Sequence, residues 1–210
     1  MKPEFAKLFL QVAANMTAVA DSPYIASLER AVDVIHDAFA SGHKLLVFGN
    51  GGSSADAQHL TAEFVGRFVA ERRPLPAIAL TTNQAILTAW SNDYSFDDVF
   101  ARQVEALGVA GDVAFGISTS GTSPNVVNAL RRARERGLHT IGLTGSGGGK
   151  IAELCDVLLE VPLTSTARVQ EVHLVTYHAI CAELERRLFS SDAAAGSPVA
   201  HRTGTPNRER

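Results

Sequence analysis

The sequence predicts an α/β protein, a doubly wound parallel sheet of about five strands with helices on both faces and two leading N-terminal helices. Three observations carry this. Apolar runs of strand length alternate with stretches of helical periodicity along the chain. Three of those strands break into turns rich in Gly, Ser and Thr and restart as helices, as parallel strands joined by crossovers require. The 210 residues, 46% of them hydrophobic, suffice for one sizeable core, and no internal boundary divides residues 1–189.

Residues 3 to about 20 read as a helix. Ser22 and Pro23 form a cap and first turn for a second, whose Ile25, Leu28, Val32, Ile35 and Phe39 repeat at helical spacing until Gly42. Two helices before the first strand supply an apolar face, for the sheet or for another subunit. The first strand, Lys44 to Phe48, passes through Gly49, Asn50, Gly51, Gly52, Ser53 and Ser54 into a helix from about Ser54 to Phe68. A short strand, Pro76 to Leu80, precedes a helix ending near Asn92 and Asp93 and another from Phe96 to about Leu107. The third strand, Asp112 to Ile117, runs into Ser118, Thr119, Ser120, Gly121, Thr122 and Ser123, then a helix from Pro124 to Arg136. The fourth strand, Thr140 to Leu143, leads to a third turn, TGSGGGK, read as no more than a flexible connection. A short helix over 150–155, a fifth strand from Val157 to Val161 and a long helix from Thr166 to Phe189 follow. The tail from Ser190 to 210 is small, polar and aperiodic, and is expected to be disordered.

Composition narrows the function. A net charge of −3 offers no general attraction to nucleic acid or anionic lipid. No stretch approaches the roughly 18 unbroken apolar residues of a membrane span, and the N-terminus lacks a signal-like pattern, so a soluble cytoplasmic protein is expected. Cys155 and Cys181 are too few for a disulfide framework or a thiolate metal site and read as small core residues.

Ligands of parallel sheets sit beyond the carboxyl ends of the strands, where these turns lie. A glycine turn opening a helix leaves free N–H groups for an anion. The first turn lacks both the G-x-G-x-x-G fingerprint and the G-x-x-x-x-G-K-[ST] loop, which argues against a nucleotide. The hydroxyls of 118–123 exceed what capping by Ser123 needs and suit a phosphate ester. His59 and Glu63, four apart, share one helical face; alone, such a pair is an ordinary surface ion pair. In the last helix, spacing puts Gln170 and His173 on one face and Glu171 and His178 on another, and leaves the choice between them open.

GNGGSSADAQH, AEFVGRF, SNDY, GDVAFGISTSGTSPNV, LTGSGGGK and RVQEVHLVTYH, in that order, resemble the phosphoheptose isomerases of the sugar isomerase (SIS) domain superfamily over residues 1–189. The resemblance implies a flavodoxin-like fold, a homotetramer with active sites at subunit interfaces, and conversion of sedoheptulose 7-phosphate to an aldoheptose 7-phosphate. It implies a divalent metal, one zinc per subunit, held by His59, Glu63, Gln170 and His178. It places substrate against Asn50, Gly51, Gly52, Glu63, Asn92, Asp93, Ser118, Thr119, Ser120, Ser123 and Gln170, with Glu63 and His178 as the acid/base pair. Departures from the family pattern at Ala62, Ala167 and Thr122 touch no implied ligand. Two rivals share the fold: a non-catalytic relative that binds the bacterial replication initiator, and an isomerase or binder of another phosphosugar. The complete ligand set argues against the first; no lysine or extra domain obviously serves amino-sugar chemistry, while another phosphosugar stays an alternative, since sequence does not give the pocket size.

Overall fold

A computed structural model describes residues 3–189. The tail expected to be disordered, from Ser190, lies outside the described residues. The elements run α1 (Glu4–Ala20), α2 (Tyr24–Ala40), β1 (Leu45–Gly49), α3 (Gly52–Val65), β2 (Ala77–Ala79) and α4 (Gln84–Asp93). A 3₁₀ turn (Phe96–Asp98), α5 (Val99–Leu107), β3 (Val113–Ser118), α6 (Pro124–Glu135) and β4 (His139–Thr144) come next. A second 3₁₀ turn (Gly149–Leu154), β5 (Val157–Glu160) and α7 (Thr166–Phe189) complete the described residues. All strand pairs are parallel, in the order β2-β1-β3-β4-β5, which is the flavodoxin-like order.

Alternation along β1 builds two cores from one strand. Leu45 and Val47 join α2, α3 and α7 on one face; Leu46 and Phe48 join α5 and α6 on the other. β1, β3 and β4 are buried almost end to end, which explains why their sequence reads as unbroken apolar runs rather than alternation. The question left open for the two leading helices divides: α2 buries six residues against the sheet, whereas α1 buries only Val19 and leaves Phe5 and Phe9 exposed.

Three expectations need correction. The helix predicted to reach Phe68 stops at Val65, because the N–H groups of Phe68, Val69 and Ala70 donate to the Glu185 carboxylate of α7 at 2.8 to 3.0 Å instead of to helical carbonyls. Arg72 takes the carbonyls left over, donating to Glu63 O at 2.7 Å and Phe64 O at 2.9 Å. The third turn is no slack connection: Gly145 N donates to Thr119 O and Ile151 N to Gly121 O, each at 3.0 Å, so it braces the hydroxyl turn. Gly121 has φ +63, and a Cβ there would sit 2.1 Å from Gly148 O, so only glycine fits this backbone crossing. Of the two cysteines expected in the core, Cys181 is buried and Cys155 only half-buried; both are free thiols.

Candidate active site

β1 and β3 are neighbours, and Gly49 pairs with Ile117 at their carboxyl ends. The glycine turn and the hydroxyl turn therefore leave the sheet side by side, in the crevice where the strand order reverses. A reciprocal amide pair joins them: Asn50 Nδ2 donates to Asn125 Oδ1 at 2.8 Å and Asn125 Nδ2 to Asn50 Oδ1 at 2.9 Å. The side chain of Asn50, implied to meet substrate, is thus engaged with Asn125, which stands in a quoted motif but was given no role there. Its spacing of 75 residues has no sequence signature.

In the second turn, Ser118 Oγ lies 3.0 Å from Ser123 Oγ and 3.5 Å from Ser120 Oγ, and Ser120 Oγ lies 3.0 Å from Thr122 Oγ1. Ser123 makes no side-chain capping bond to α6, so its hydroxyl belongs to the cluster and the start of the helix keeps its need for an acceptor. Thr119 is half-buried between Ser118 and Ser120, and its carbonyl is held by Gly145.

α3 and α7 lie alongside one another and run in the same direction. Gly52 faces Gln170, His59 faces Tyr177 and His178, and Glu185 meets the segment after α3, in matching order along both helices. The register brings His59, Glu63 and His178 together, with one ligand atom from each within 4.8 Å of the others. His59 Nε2 is 2.9 Å from Glu63 Oε1 and 3.5 Å from His178 Nε2. The side chains of His59 and Glu63 are 43% and 22% exposed, so the cluster opens to solvent and to an incoming ligand.

Two imidazole nitrogens converging with a carboxylate oxygen form a nitrogen-and-oxygen donor set that suits zinc or a neighbouring divalent ion. Gln170 stands on the same helix, eight residues before His178. Its Nε2 rests on Gly52, where a Cβ would come within 2.3 Å, so the glycine makes room for the amide. Arg72 and the Glu185 carboxylate, 2.9 Å apart and both almost wholly buried, tie the end of α3 to α7 and so hold together the two helices that carry the cluster.

The last helix is now resolved where spacing alone left it open. His178 joins the cluster; His173 is buried in the opposite sense, its pKa pushed down to about 4 by burial and only partly restored by the Thr144 backbone. Glu171 pairs with Arg168 at 2.7 Å. Asn92 and Asp93 end α4 exposed, Asn92 Nδ2 donating to Asp93 Oδ1 at 2.9 Å, and make no bond to the cluster. Gly51 is the N-cap of α3 and Gly52 its first residue, two residues ahead of the start expected near Ser54.

Residues 9–145 match the SIS domain family model. The chain is 56% identical over 170 residues to a phosphoheptose isomerase from Synechocystis sp., covering 81% of this chain and 88% of that one. It is 52% identical over 194 residues to a phosphoheptose isomerase from Nitratidesulfovibrio vulgaris, covering 91% and 93%. The solved phosphoheptose isomerase GmhA from Neisseria gonorrhoeae superposes with a TM-score of 0.81 at 44% identity, covering 86% of this chain and 96% of that one. The fold, the motifs and these relatives agree: the chain belongs to the phosphoheptose isomerases of the SIS domain family.

Proposed function

We propose that this protein converts sedoheptulose 7-phosphate to an aldoheptose 7-phosphate, in the D-glycero-D-manno configuration, through an enediol. The observation that carries the reading is the convergence of His59, Glu63 and His178 between α7 and α3, the helix that opens at the glycine turn beside the hydroxyl turn. A single SIS domain over residues 1–189 holds all of these groups.

Ketose-to-aldose conversion moves one proton between adjacent carbons and one between their oxygens, so it needs a base at carbon and an acid near the oxygens. Glu63 and His178 take these parts. Only Oε1 of Glu63 faces His59, which leaves Oε2 to accept the proton from carbon. His178 stands across the cluster, where its ring serves the oxygens. His59, Glu63, Gln170 and His178 would hold one zinc ion per subunit, which when bound polarises the carbonyl and steadies the charge of the enediolate. Ser118, Thr119, Ser120 and Ser123 bind the phosphate, and that remote binding energy positions C1 and C2. The backbone of Asn50, Gly51 and Gly52 lines the same crevice, and Asn92 and Asp93 close it from α4.

The exposed Phe5, Leu8, Phe9 and Leu10 of α1 support assembly, since a monomer leaves this apolar face in water. That surface supports a homotetramer with active sites between subunits. Among the described residues no helix is long and apolar enough to cross a membrane, and the composition supports a cytoplasmic enzyme without a nucleic-acid partner.

Incubating the purified protein with sedoheptulose 7-phosphate, with and without added zinc, and following the anomeric proton signals tests the reading. A new aldose signal is expected. No conversion in either arm overturns it.

A further inference from the structure

The residue before His178 on α7 is Tyr177. Tyr177 is buried, 1% exposed, but its hydroxyl emerges at the metal cluster. Tyr177 Oη lies 3.0 Å from His59 Nδ1 and 3.4 Å from Asp56 Oδ1, and the His59 and Tyr177 rings meet edge to face at 5.3 Å. Asp56 sits on α3 one turn before His59, and its other oxygen, Oδ2, is buried without a hydrogen-bond partner among the described residues. A buried phenol has one proton to give, and a carboxylate accepts it in preference to an imidazole.

We infer that Tyr177 is a positioning residue, which grips His59 through Nδ1 and turns its Nε2 toward Glu63 and His178. The inference rests on the metal reading above. With the Tyr177 O–H donated to Asp56, the phenol oxygen offers only lone pairs to the ring. The His59 proton then sits on Nδ1, donated to Tyr177, and the Nε2 lone pair is free for a cation. Asp56 fixes the direction of the chain of bonds, Tyr177 transmits it, and His59 presents the result. A tyrosine serving only to fill the core between α3 and α7 would need no such alignment.

The test measures zinc dissociation constants by competition with a chromophoric chelator for wild type, Tyr177→Phe and Asp56→Asn. Each zinc-loaded protein is also ¹⁵N-labelled at histidine for NMR and melted to record stability. Tyr177→Phe keeps the ring and its packing but loses the acceptor for Nδ1–H, and is expected to weaken zinc binding about 10- to 100-fold. It should also shift the His59 nitrogen resonances. Asp56→Asn keeps an acceptor oxygen and is expected to fall between the two. Equal affinity and unchanged resonances in Tyr177→Phe, against a wild type that holds zinc, overturn the positioning role. Should Tyr177→Phe fail to fold, an Asp56→Asn protein that binds zinc as tightly as wild type overturns it as well. A wild type that takes up no zinc overturns the metal reading first and this inference with it, and the wild-type titration alone tells the two failures apart.

Discussion

Glu185 is the residue whose removal the structure prices most directly. Its carboxylate is 6% exposed and accepts four hydrogen bonds: Phe68 N and Arg72 Nε on Oε1, Val69 N and Ala70 N on Oε2. Burial alone raises its pKa, but the three backbone N–H groups and the Arg72 guanidinium outweigh burial and hold it below the usual carboxylate value. Glu185→Gln leaves one oxygen for two of the four donors, turns an amide N–H₂ toward the others, and removes the counter-charge of a guanidinium whose side chain is 1% exposed. Removing one partner of such a pair costs about 3 to 5 kcal/mol. At about 2 to 4 °C per kcal/mol for a domain of this length, thermal unfolding at fixed protein concentration should show a loss of roughly 6 to 20 °C. Arg72→Met should cost less in the Glu185→Gln background than in wild type, with a coupling of about 0.5 to 3 kcal/mol. The folded pKa lies below the unfolded value, so this stabilisation is present above about pH 4.5 and is lost as pH falls through the folded value. The gap between variant and wild type should narrow accordingly in acid. A variant within about 1 kcal/mol of wild type at neutral pH refutes the view that this pair fastens α3 to α7.

Four further outcomes follow from the same geometry. Glu63→Gln should keep the wild-type melting temperature within a few degrees and lose most turnover in the anomeric-proton assay; activity near wild type would make another group the base. Gly52→Ala meets only the flexible end of Gln170, so stability should change by no more than about 1 kcal/mol while zinc affinity drops; an unchanged affinity removes Gln170 from the ligand set. Gly121→Ala must clash with the Gly148 carbonyl at a positive φ, and should destabilise by about 1 to 3 kcal/mol and raise the KM for the phosphosugar, as melting and initial rates would show. His173 stays neutral in the fold down to about pH 4, whereas in the unfolded chain it takes up its proton near pH 6.5. Its contribution is therefore complete above pH 6.5 and lost as pH falls toward 4, about 3 kcal/mol in all, and His173→Leu should flatten the denaturation-derived stability profile across that window.

Much of the fold was legible because it is written locally. Apolar runs bounded by glycines fix β1, β3 and β4, and Ser22 and Pro23 start α2 within a residue of where the chain turns helical. The end of α3 was not legible, since Glu185 draws its last N–H groups away from more than a hundred residues downstream. In the site, periodicity showed His59 and Glu63 only as an i, i+4 pair and left His173 and His178 equal; the family resemblance named His178, and the packing of α7 on α3 brings it within reach of that pair.

The sequence by itself determined the order of elements and the types of group available: hydroxyls after β3, an imidazole and a carboxylate on α3, an amide and imidazoles on α7. These follow from periodicity and turn chemistry, which act over a few residues. The tertiary structure alone decided their company. Asn50 meets Asn125, Tyr177 reaches His59 and Asp56, and Gln170 rests on Gly52, because strand register and the parallel lie of two helices bring together groups between 75 and 121 residues apart. Hydrogen bonds and close contacts depend on distance in space, and only packing sets that distance.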